Sequence, residues 1–205
     1  MCDTAFAKWY ERGMTRRKAK QIEIDFRKKD CLIELLQRGE NRRDSDKEAV
    51  ADLGFIVGLW NGEKSSKTVG LSVTCGLYST AVGLGGNCIL LNLPEDLGEL
   101  KHCDRMEKVL TTVAKCWEPD WAGVFSLEAM DTREFNPAVP FVDWMIYISD
   151  KMCKNPVIPE VSAIHRTDGI GSLIVLQCEP TLPDNLNHAQ KAKEVELALK
   201  LKCFT

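Results

Sequence analysis

The fold class of this chain is decided by the stretch Phe55-Ile56-Val57-Gly58-Leu59-Trp60-Asn61-Gly62, residues 55–62. Its first six residues are apolar or small, as in a buried β-strand, and the Asn-Gly pair that follows is a strong hairpin signal. Residues 69–78 then alternate between apolar and small or polar side chains, which indicates a second strand. Together the two runs predict an antiparallel hairpin that begins a meander.

Toward the C-terminus, further strand-like runs alternate with a few helical segments. Residues 104–116 have helical apolar periodicity, and so does a segment from Asn187 or His188 to Lys200. Residues 127–140 are polar and interrupted by prolines, which predicts an exposed loop. The remaining strand-like runs are residues 88–93, 122–126, 144–149, 161–166 and 171–177. This order predicts an α+β fold with a mostly antiparallel sheet of about six or seven strands, covered on one face.

The first quarter of the chain reads as mainly helical. Thr15 can cap a helix, and Gly39 provides a stop after Arg38. Apolar residues recur mostly three or four positions apart and predict one buried stripe, formed by Ala19, Ile22, Phe26, Ile33 and Leu36. We expect a single domain over residues 1–205, helical in residues 1–52 and composed of sheet plus two helices in residues 53–205.

Composition excludes several classes of protein. The 205 residues are 44% hydrophobic and 28% charged with a net charge of −3, as in an ordinary globular protein. This charge gives no general attraction to nucleic acid or to anionic membranes. Charged residues at Asp3, Lys8, Glu11 and Arg12 interrupt the first thirteen positions, where a secretory signal would need an apolar run, so we expect a cytoplasmic protein. The nine cysteines show no C-x-x-C pair, and several, including Cys88 and Cys178, lie in apolar runs typical of core thiols in a reducing compartment.

Candidate catalytic groups are few. His102 and Cys103 are adjacent, but neighbouring side chains on a helix seldom face each other. A site built from distant residues, such as Cys88 with His165, stays open because catalytic triads are spatial. The glycine-rich run 83–86 lacks the lysine of a phosphate-binding loop, and no metal-ligand spacing is present. We therefore predict a protein that is not an enzyme, with no catalytic residues, no metal and no cofactor.

Charge is unevenly distributed along the chain. Residues 92–150 hold 12 acidic side chains against five basic ones. Five of the acidic residues cluster in sequence near a predicted strand and the loop after it: Glu118, Asp120, Glu128, Asp131 and Glu134. A solubilising surface is one interpretation. The alternative is an acidic face that resembles a phosphate backbone and binds a cationic protein partner.

Several short motifs, in order over nearly the whole chain, resemble the immunity protein 52 family of bacterial polymorphic toxin systems. They are Trp9-Tyr10-Glu11-Arg12-Gly13-Met14-Thr15-Arg16, Leu59-Trp60-Asn61-Gly62, Asn87-Cys88-Ile89-Leu90-Leu91-Asn92-Leu93-Pro94, Trp117-Glu118-Pro119-Asp120-Trp121-Ala122 and Trp144-Met145-Ile146-Tyr147-Ile148-Ser149. Phe141-Val142-Asp143-Trp144 departs from the family pattern, which has a small residue before the tryptophan.

The resemblance implies a small α+β protein encoded beside a toxin, often one delivered by type VI secretion. The implied partner carries a nuclease domain of the restriction-endonuclease class, which the immunity protein neutralises by direct contact. The family offers no catalytic residues to transfer to this chain. Because a nuclease presents a cationic surface to DNA, we take the five acidic residues as candidate toxin contacts. Two alternatives are an effector chaperone or adaptor that binds without inhibiting, and a cryptic cysteine-dependent enzyme.

Overall fold

The computed structural model describes residues 4–13, 23–77, 86–133, 135–136, 139–159, 163–167, 169–180 and 186–203. The chain divides into two compact units, residues 1–97 (unit 1) and residues 98–205 (unit 2). The division lies after Leu97, rather than at the predicted change from helix to sheet near residue 52. A single domain over residues 1–205 stays a prediction, because two compact units can belong to one domain.

Unit 1 contains a four-stranded antiparallel sheet in the order β1-β2-β3-β4. The strands are β1 (Tyr10–Glu11), β2 (Phe55–Trp60), β3 (Gly70–Cys75) and β4 (Cys88–Asn92). One α-helix, α1 (Lys29–Arg38), and three short 3-10 turns, Thr4–Phe6, Ala51–Leu53 and Ser65–Lys67, complete the described part of this unit. The predicted meander of β2, β3 and β4 is therefore present.

One face of this sheet forms the core of unit 1. Val57 and Leu59 of β2 point to the same face and pack with Leu35 of α1 and with Ile24. All four side chains are buried, with at most 7% of their surface exposed. Because side chains alternate along a strand, Ile56, Gly58 and Trp60 lie on the opposite face.

The N-terminal helix begins later than the sequence indicated. Helix α1 starts at Lys29, whereas the pattern predicted a start at Thr15; residues 14–22 lie outside the described part of the chain. Glu23 forms a bridge with Tyr10, and the Ile24 amide donates to the Trp9 carbonyl at 2.8 Å, so this segment pairs with an extended strand instead.

The three described members of the predicted apolar stripe are not buried, and residues 23–28, which the pattern assigned to the helix, are not helical. Phe26, Ile33 and Leu36 are exposed, at 49%, 42% and 40%. The helix buries Leu35 instead and packs Cys31 and Leu32 against the core. In α1 the core-facing residues Cys31, Leu32 and Leu35 are three and four positions apart, and the exposed residues Ile33 and Leu36 are three apart. The helical period alone therefore did not identify the buried face.

Gly39 ends α1 as predicted, but not through a left-handed conformation. Its φ is −83°, and its amide donates to the carbonyls of Leu35 and Leu36. A Cβ added at this position would lie 2.5 Å from the Ile56 carbonyl oxygen. Glycine is required here because the helix end lies directly against β2.

The β2–β3 connection is longer than a two-residue hairpin. It spans residues 61–69, and the side chain of Asn61 organises it. The amide nitrogen of this side chain donates to the carbonyls of Ala5 and Lys67, and its oxygen accepts from the amides of Glu63 and Val69. Asn61 is 7% exposed, so a turn-forming residue in the sequence is a buried hydrogen-bonding centre in the fold.

Unit 2 contains a second four-stranded antiparallel sheet, in the order β5-β6-β8-β7. The strands are β5 (Trp121–Val124), β6 (Met145–Ser149), β7 (Ala163–Thr167) and β8 (Gly171–Val175). The helices are α2 (Cys103–Trp117), α3 (Leu127–Thr132) and α4 (Leu186–Cys203), after a 3-10 turn at Gly98–Lys101. The α+β class is confirmed, with eight described strands in two sheets in place of the expected six or seven in one.

Helices cover both faces of the unit 2 sheet. Ile146, Ile148 and Ile174 pack with Ala192, Val195 and Leu199 of α4 on one face. Met145 and Tyr147 alternate onto the other face, and α2 contacts β5 and β6. Every residue of β6 and β8 is therefore buried, whereas the sequence predicted a sheet covered on one face only.

Two further expectations can be compared with this fold. Cys88 and Cys178 are free and exposed, and buried Cys153 is disulfide-bonded, so these cysteines are not the reduced core thiols that were expected. Among the described helices, none is both long and apolar enough to cross a membrane.

Candidate functional site

Two of the five candidate acidic residues lie just before β5. Glu118 ends α2, Asp120 precedes Trp121, and both are exposed. Glu118 forms a surface ion pair with Lys151 at 3.8 Å, which neutralises part of its charge. The Asp120 carbonyl accepts the Ser149 amide at 2.9 Å, so the backbone here is fixed to the end of β6.

Two more candidates lie beyond the other end of β5, on α3. Glu128 and Asp131 are both exposed and are three positions apart, which puts their side chains on one side of the helix. Strand β5, whose four residues rise about 10 Å, lies between the two acidic pairs along the chain. Glu134 lies outside the described residues. The structure thus arranges four of the candidates as two exposed pairs at opposite ends of an edge strand.

Helix α3 itself was not predicted, since residues 127–140 were expected to form a loop. Ser126 starts the helix by accepting the Ala129 amide on its hydroxyl oxygen at 3.0 Å. Six residues are too few for a stable helix in isolation. Contacts with the rest of unit 2 must therefore hold α3 in place.

Those contacts form a buried ionic network that sequence reasoning missed. Its members are Arg133, Asp143, His188 and Glu196, and the Asp143 and His188 side chains are each 2% exposed. Asp143 accepts the Ser126 amide at 2.9 Å and lies 3.4 Å from the Arg133 guanidinium. His188 Nε2 lies 3.2 Å from the same carboxylate.

Glu196 of α4 completes the network. It lies 3.4 Å from Arg133 and accepts the Val142 amide at 3.0 Å. The Arg133 guanidinium also lies over the Phe141 ring at 4.3 Å, within a group that includes Phe125 and Phe135. Buried charges are stable only when they are paired and hydrogen-bonded, as these are. The network thus fixes both ends of α3, and with them the direction of Glu128 and Asp131.

The network also changes the interpretation of the acidic region. Asp143 belongs to the acidic count over residues 92–150, yet it is internal and paired with Arg133. Removing one acidic and one basic residue leaves the net charge of the surface unchanged. His188, which the sequence placed only at a possible helix start, is buried against Asp143. The one sequence signal for this site was Asp143 within an apolar run, at the position that departs from the family pattern.

Of the cysteine candidates, the structure describes the surroundings of Cys103, and they are not those of a nucleophile. The Cys103 thiol donates to Glu107 at 3.3 Å, and burial, assisted by this carboxylate, raises the pKa of Cys103 to about 12. A thiol with so high a pKa is a poor nucleophile at neutral pH. The pairing of Cys88 with His165 stays an open alternative, because the His165 side chain lies outside the described residues. No three His, Cys, Asp or Glu residues among those described are grouped to hold a metal ion.

Comparison with known families gives a match over almost the whole chain. The family model described as Immunity protein 52 matches residues 1–203. No curated protein matches the chain.

Proposed function

This chain belongs to the immunity protein 52 family, and we propose that it binds a cognate bacterial toxin and neutralises it by direct contact. The observation that carries this proposal is the family match over residues 1–203, which includes both compact units. An immunity role implies a toxin as the partner. The toxin we propose is a nuclease with a restriction-endonuclease-like domain, delivered by type VI secretion.

The contact residues in this proposal are Glu118, Asp120, Glu128, Asp131 and Glu134. A nuclease needs a cationic surface for DNA, so a set of exposed carboxylates can occupy that surface competitively. The four described members are exposed, which leaves their charges available to a partner. Exposed charges mainly accelerate association, so their effect belongs in the association rate and its salt dependence.

The fixed position of α3 supports this role for Glu128 and Asp131. Asp143 holds the Ser126 amide at the start of the helix, and Arg133 at its end pairs with Asp143 and Glu196. A binding surface that is already ordered loses less conformational entropy when the partner binds. An inhibitor of a lethal enzyme needs the slow dissociation that such order favours.

We propose that the protein is located in the cytoplasm and binds the cognate toxin there. The disulfide at Cys153 makes this point worth measuring, because disulfides persist mainly in oxidising compartments. Fractionation of the producing cell with antibody detection would test it. Recovery in the periplasmic fraction would contradict the cytoplasmic proposal without affecting the immunity role.

Two other functions make different predictions. An effector chaperone or adaptor would bind the toxin and leave its activity unchanged. A cysteine-dependent enzyme would lose activity on one Cys→Ala change, and the raised pKa of Cys103 disfavours that residue as its nucleophile.

The test is a titration of the toxin domain encoded beside this gene with the full chain, measuring nuclease activity and calorimetric binding together. We expect inhibition that is complete at one equivalent, with a nanomolar or tighter Kd. Tight binding with full nuclease activity would favour the chaperone. Absence of binding would overturn the proposal for that pair.

Charge reversals test the proposed contacts. The variant carries Glu118→Lys, Asp120→Lys, Glu128→Lys and Asp131→Lys, and its control reverses four exposed acids of unit 1: Glu34, Asp44, Glu48 and Asp52. We expect the test variant to associate about 10–100-fold more slowly at low salt and the difference to shrink at high salt. Equal rates for the two variants would remove these carboxylates from the interface.

A further inference from the structure

Among the residues that the structure describes, no helix packs on the second face of the unit 1 sheet as α1 packs on the first. Helix α1 and Ile24 pack on the side of Val57 and Leu59. On the other side, Ile56 is 53% exposed and Leu90 is 49% exposed, and Cys88 beside them is also exposed. Large apolar side chains exposed together in one register are typical of an interaction surface.

Strand register gives this face a defined shape. Ile56 pairs with Thr74, which pairs with Cys88, while Gly58 pairs with Ser72, which pairs with Leu90. The middle strand therefore presents small side chains between the larger ones of β2 and β4. Those two strands are two spacings apart, about 9.6 Å, which is close to the diameter of an α-helix. The result is a shallow trough with Ile56 on one side and Leu90 on the other.

One positive charge lies on the same face. The Arg12 amide donates to the Gly58 carbonyl at 2.8 Å. The aliphatic part of the Arg12 side chain lies over Gly58, since a Cβ added at Gly58 would be 3.4 Å from the Arg12 Cβ. Arg12 is exposed, and no carboxylate of the described residues forms an ion pair with its guanidinium. A partner segment that fills the trough would therefore gain from a carboxylate placed opposite Arg12.

We propose that this face, defined by Arg12, Ile56, Ser72, Thr74 and Leu90, is the surface on which the toxin docks, with an apolar toxin segment in the trough and one of its carboxylates on Arg12. The inference rests on the proposed immunity function, which makes a toxin polypeptide the partner. It adds an apolar contact, which exposed carboxylates do not supply and which stable interfaces have at their centre. The sheet face accordingly governs dissociation.

The first test uses the unmodified chain and its own thiols. Cys88 lies on the proposed face, whereas Cys178 is free and exposed in unit 2, away in sequence from the proposed acidic contacts. Both are alkylated with N-ethylmaleimide, alone and with the neighbouring toxin domain, and quantified by peptide mass spectrometry. We expect the toxin to slow alkylation of Cys88 about tenfold and to leave Cys178 unchanged. Equal protection of both thiols, or of neither, in a complex that forms would overturn the docking face.

The second test uses paired substitutions within unit 1. Ile56→Lys with Leu90→Lys alters the proposed face, and Ile33→Lys with Leu36→Lys alters exposed apolar residues of α1, which lies on the other side of the sheet. We expect the first variant to bind about 100-fold more weakly, mainly through faster dissociation, and the control to bind normally. Circular dichroism establishes that each variant is folded.

The outcomes separate this inference from the proposed function. If the unmodified chain binds and inhibits but the Ile56/Leu90 variant does so equally well, the docking face is wrong and the immunity function stands. If the unmodified chain does not bind the toxin, both are wrong. If it is a dimer that the Ile56/Leu90 substitutions convert to monomer, the face joins two copies of this chain and the toxin docks elsewhere.

Discussion

Replacing Asp143 with alanine would remove an acceptor that Ser126, Arg133 and His188 share. The Ser126 amide would lose its 2.9 Å hydrogen bond to a charged oxygen, and Arg133 would lose one of its two carboxylates. Arg133 would remain next to Glu196 at 3.4 Å, so its charge would keep partial compensation. The change therefore removes two of the three ionic contacts of the buried network and leaves the one between Arg133 and Glu196.

The size of the effect follows from these contacts. A hydrogen bond to a charged group contributes about 1.5–3 kcal/mol to stability. Breaking a buried ion pair by removing one partner costs about 3–5 kcal/mol, and the retained Glu196 places this case near the lower end. We expect a loss of about 3–4 kcal/mol in the free energy of unfolding. For a chain of this size that corresponds to roughly 6–16 °C in the melting temperature.

The measurement is urea and thermal unfolding followed by circular dichroism, with Asp150→Ala as the matched control. Asp150 also forms an ion pair with an arginine in unit 2, at 3.3 Å, but Arg166 is 46% exposed. Solvent screening limits such a pair to about 0.2–1 kcal/mol, so the control should lose less than about 4 °C. Equal losses from the two substitutions would refute the argument that burial gives the Asp143 network its energy.

Two further predictions follow from local geometry. Gly39→Ala should destabilise the chain by about 1–3 kcal/mol in urea unfolding, because the new Cβ would lie 2.5 Å from the Ile56 carbonyl oxygen. The φ of Gly39 suits alanine, so the backbone conformation adds no cost. An unchanged unfolding midpoint would show that α1 can shift away from β2. Cys103, with its pKa raised to about 12, should react with iodoacetamide at pH 8 at least about tenfold more slowly than exposed Cys116, and comparable rates would contradict the burial of its thiol. Because folding keeps the Cys103 thiol protonated, its contribution to stability is complete below pH 9 and is lost as the pH rises toward 12.

Strands could be predicted from this sequence better than helix ends. β2 and β6 are continuous apolar runs bounded by turn residues, and both formed where expected. The start of α1 was misplaced by 14 residues because propensity and spacing say nothing about the Tyr10–Glu23 bridge, which is a long-range pairing. Helix α3 was missed for the same reason, since its stability depends on Asp143 rather than on its own six residues.

The candidate site could be predicted only in its exposed part. Acidic side chains in polar surroundings are exposed by default, as Glu118 and Asp131 are. The network beneath them could not be inferred, because Arg133 and Glu196 are 63 residues apart and nothing in their local sequence distinguishes them from surface charges. Burial of a charge is decided by the partners that the fold brings to it.

The network also sets an order of events during synthesis. His188 and Glu196 are translated 45 and 54 residues after the groups that they contact, Asp143 and Val142. At roughly 5–20 residues per second, Glu196 is made about 3–11 s after Val142. During that interval the segment around α3 cannot form its contacts with α4, because α4 has not yet been translated. A nascent chain therefore acquires its finished acidic surface only when translation reaches α4.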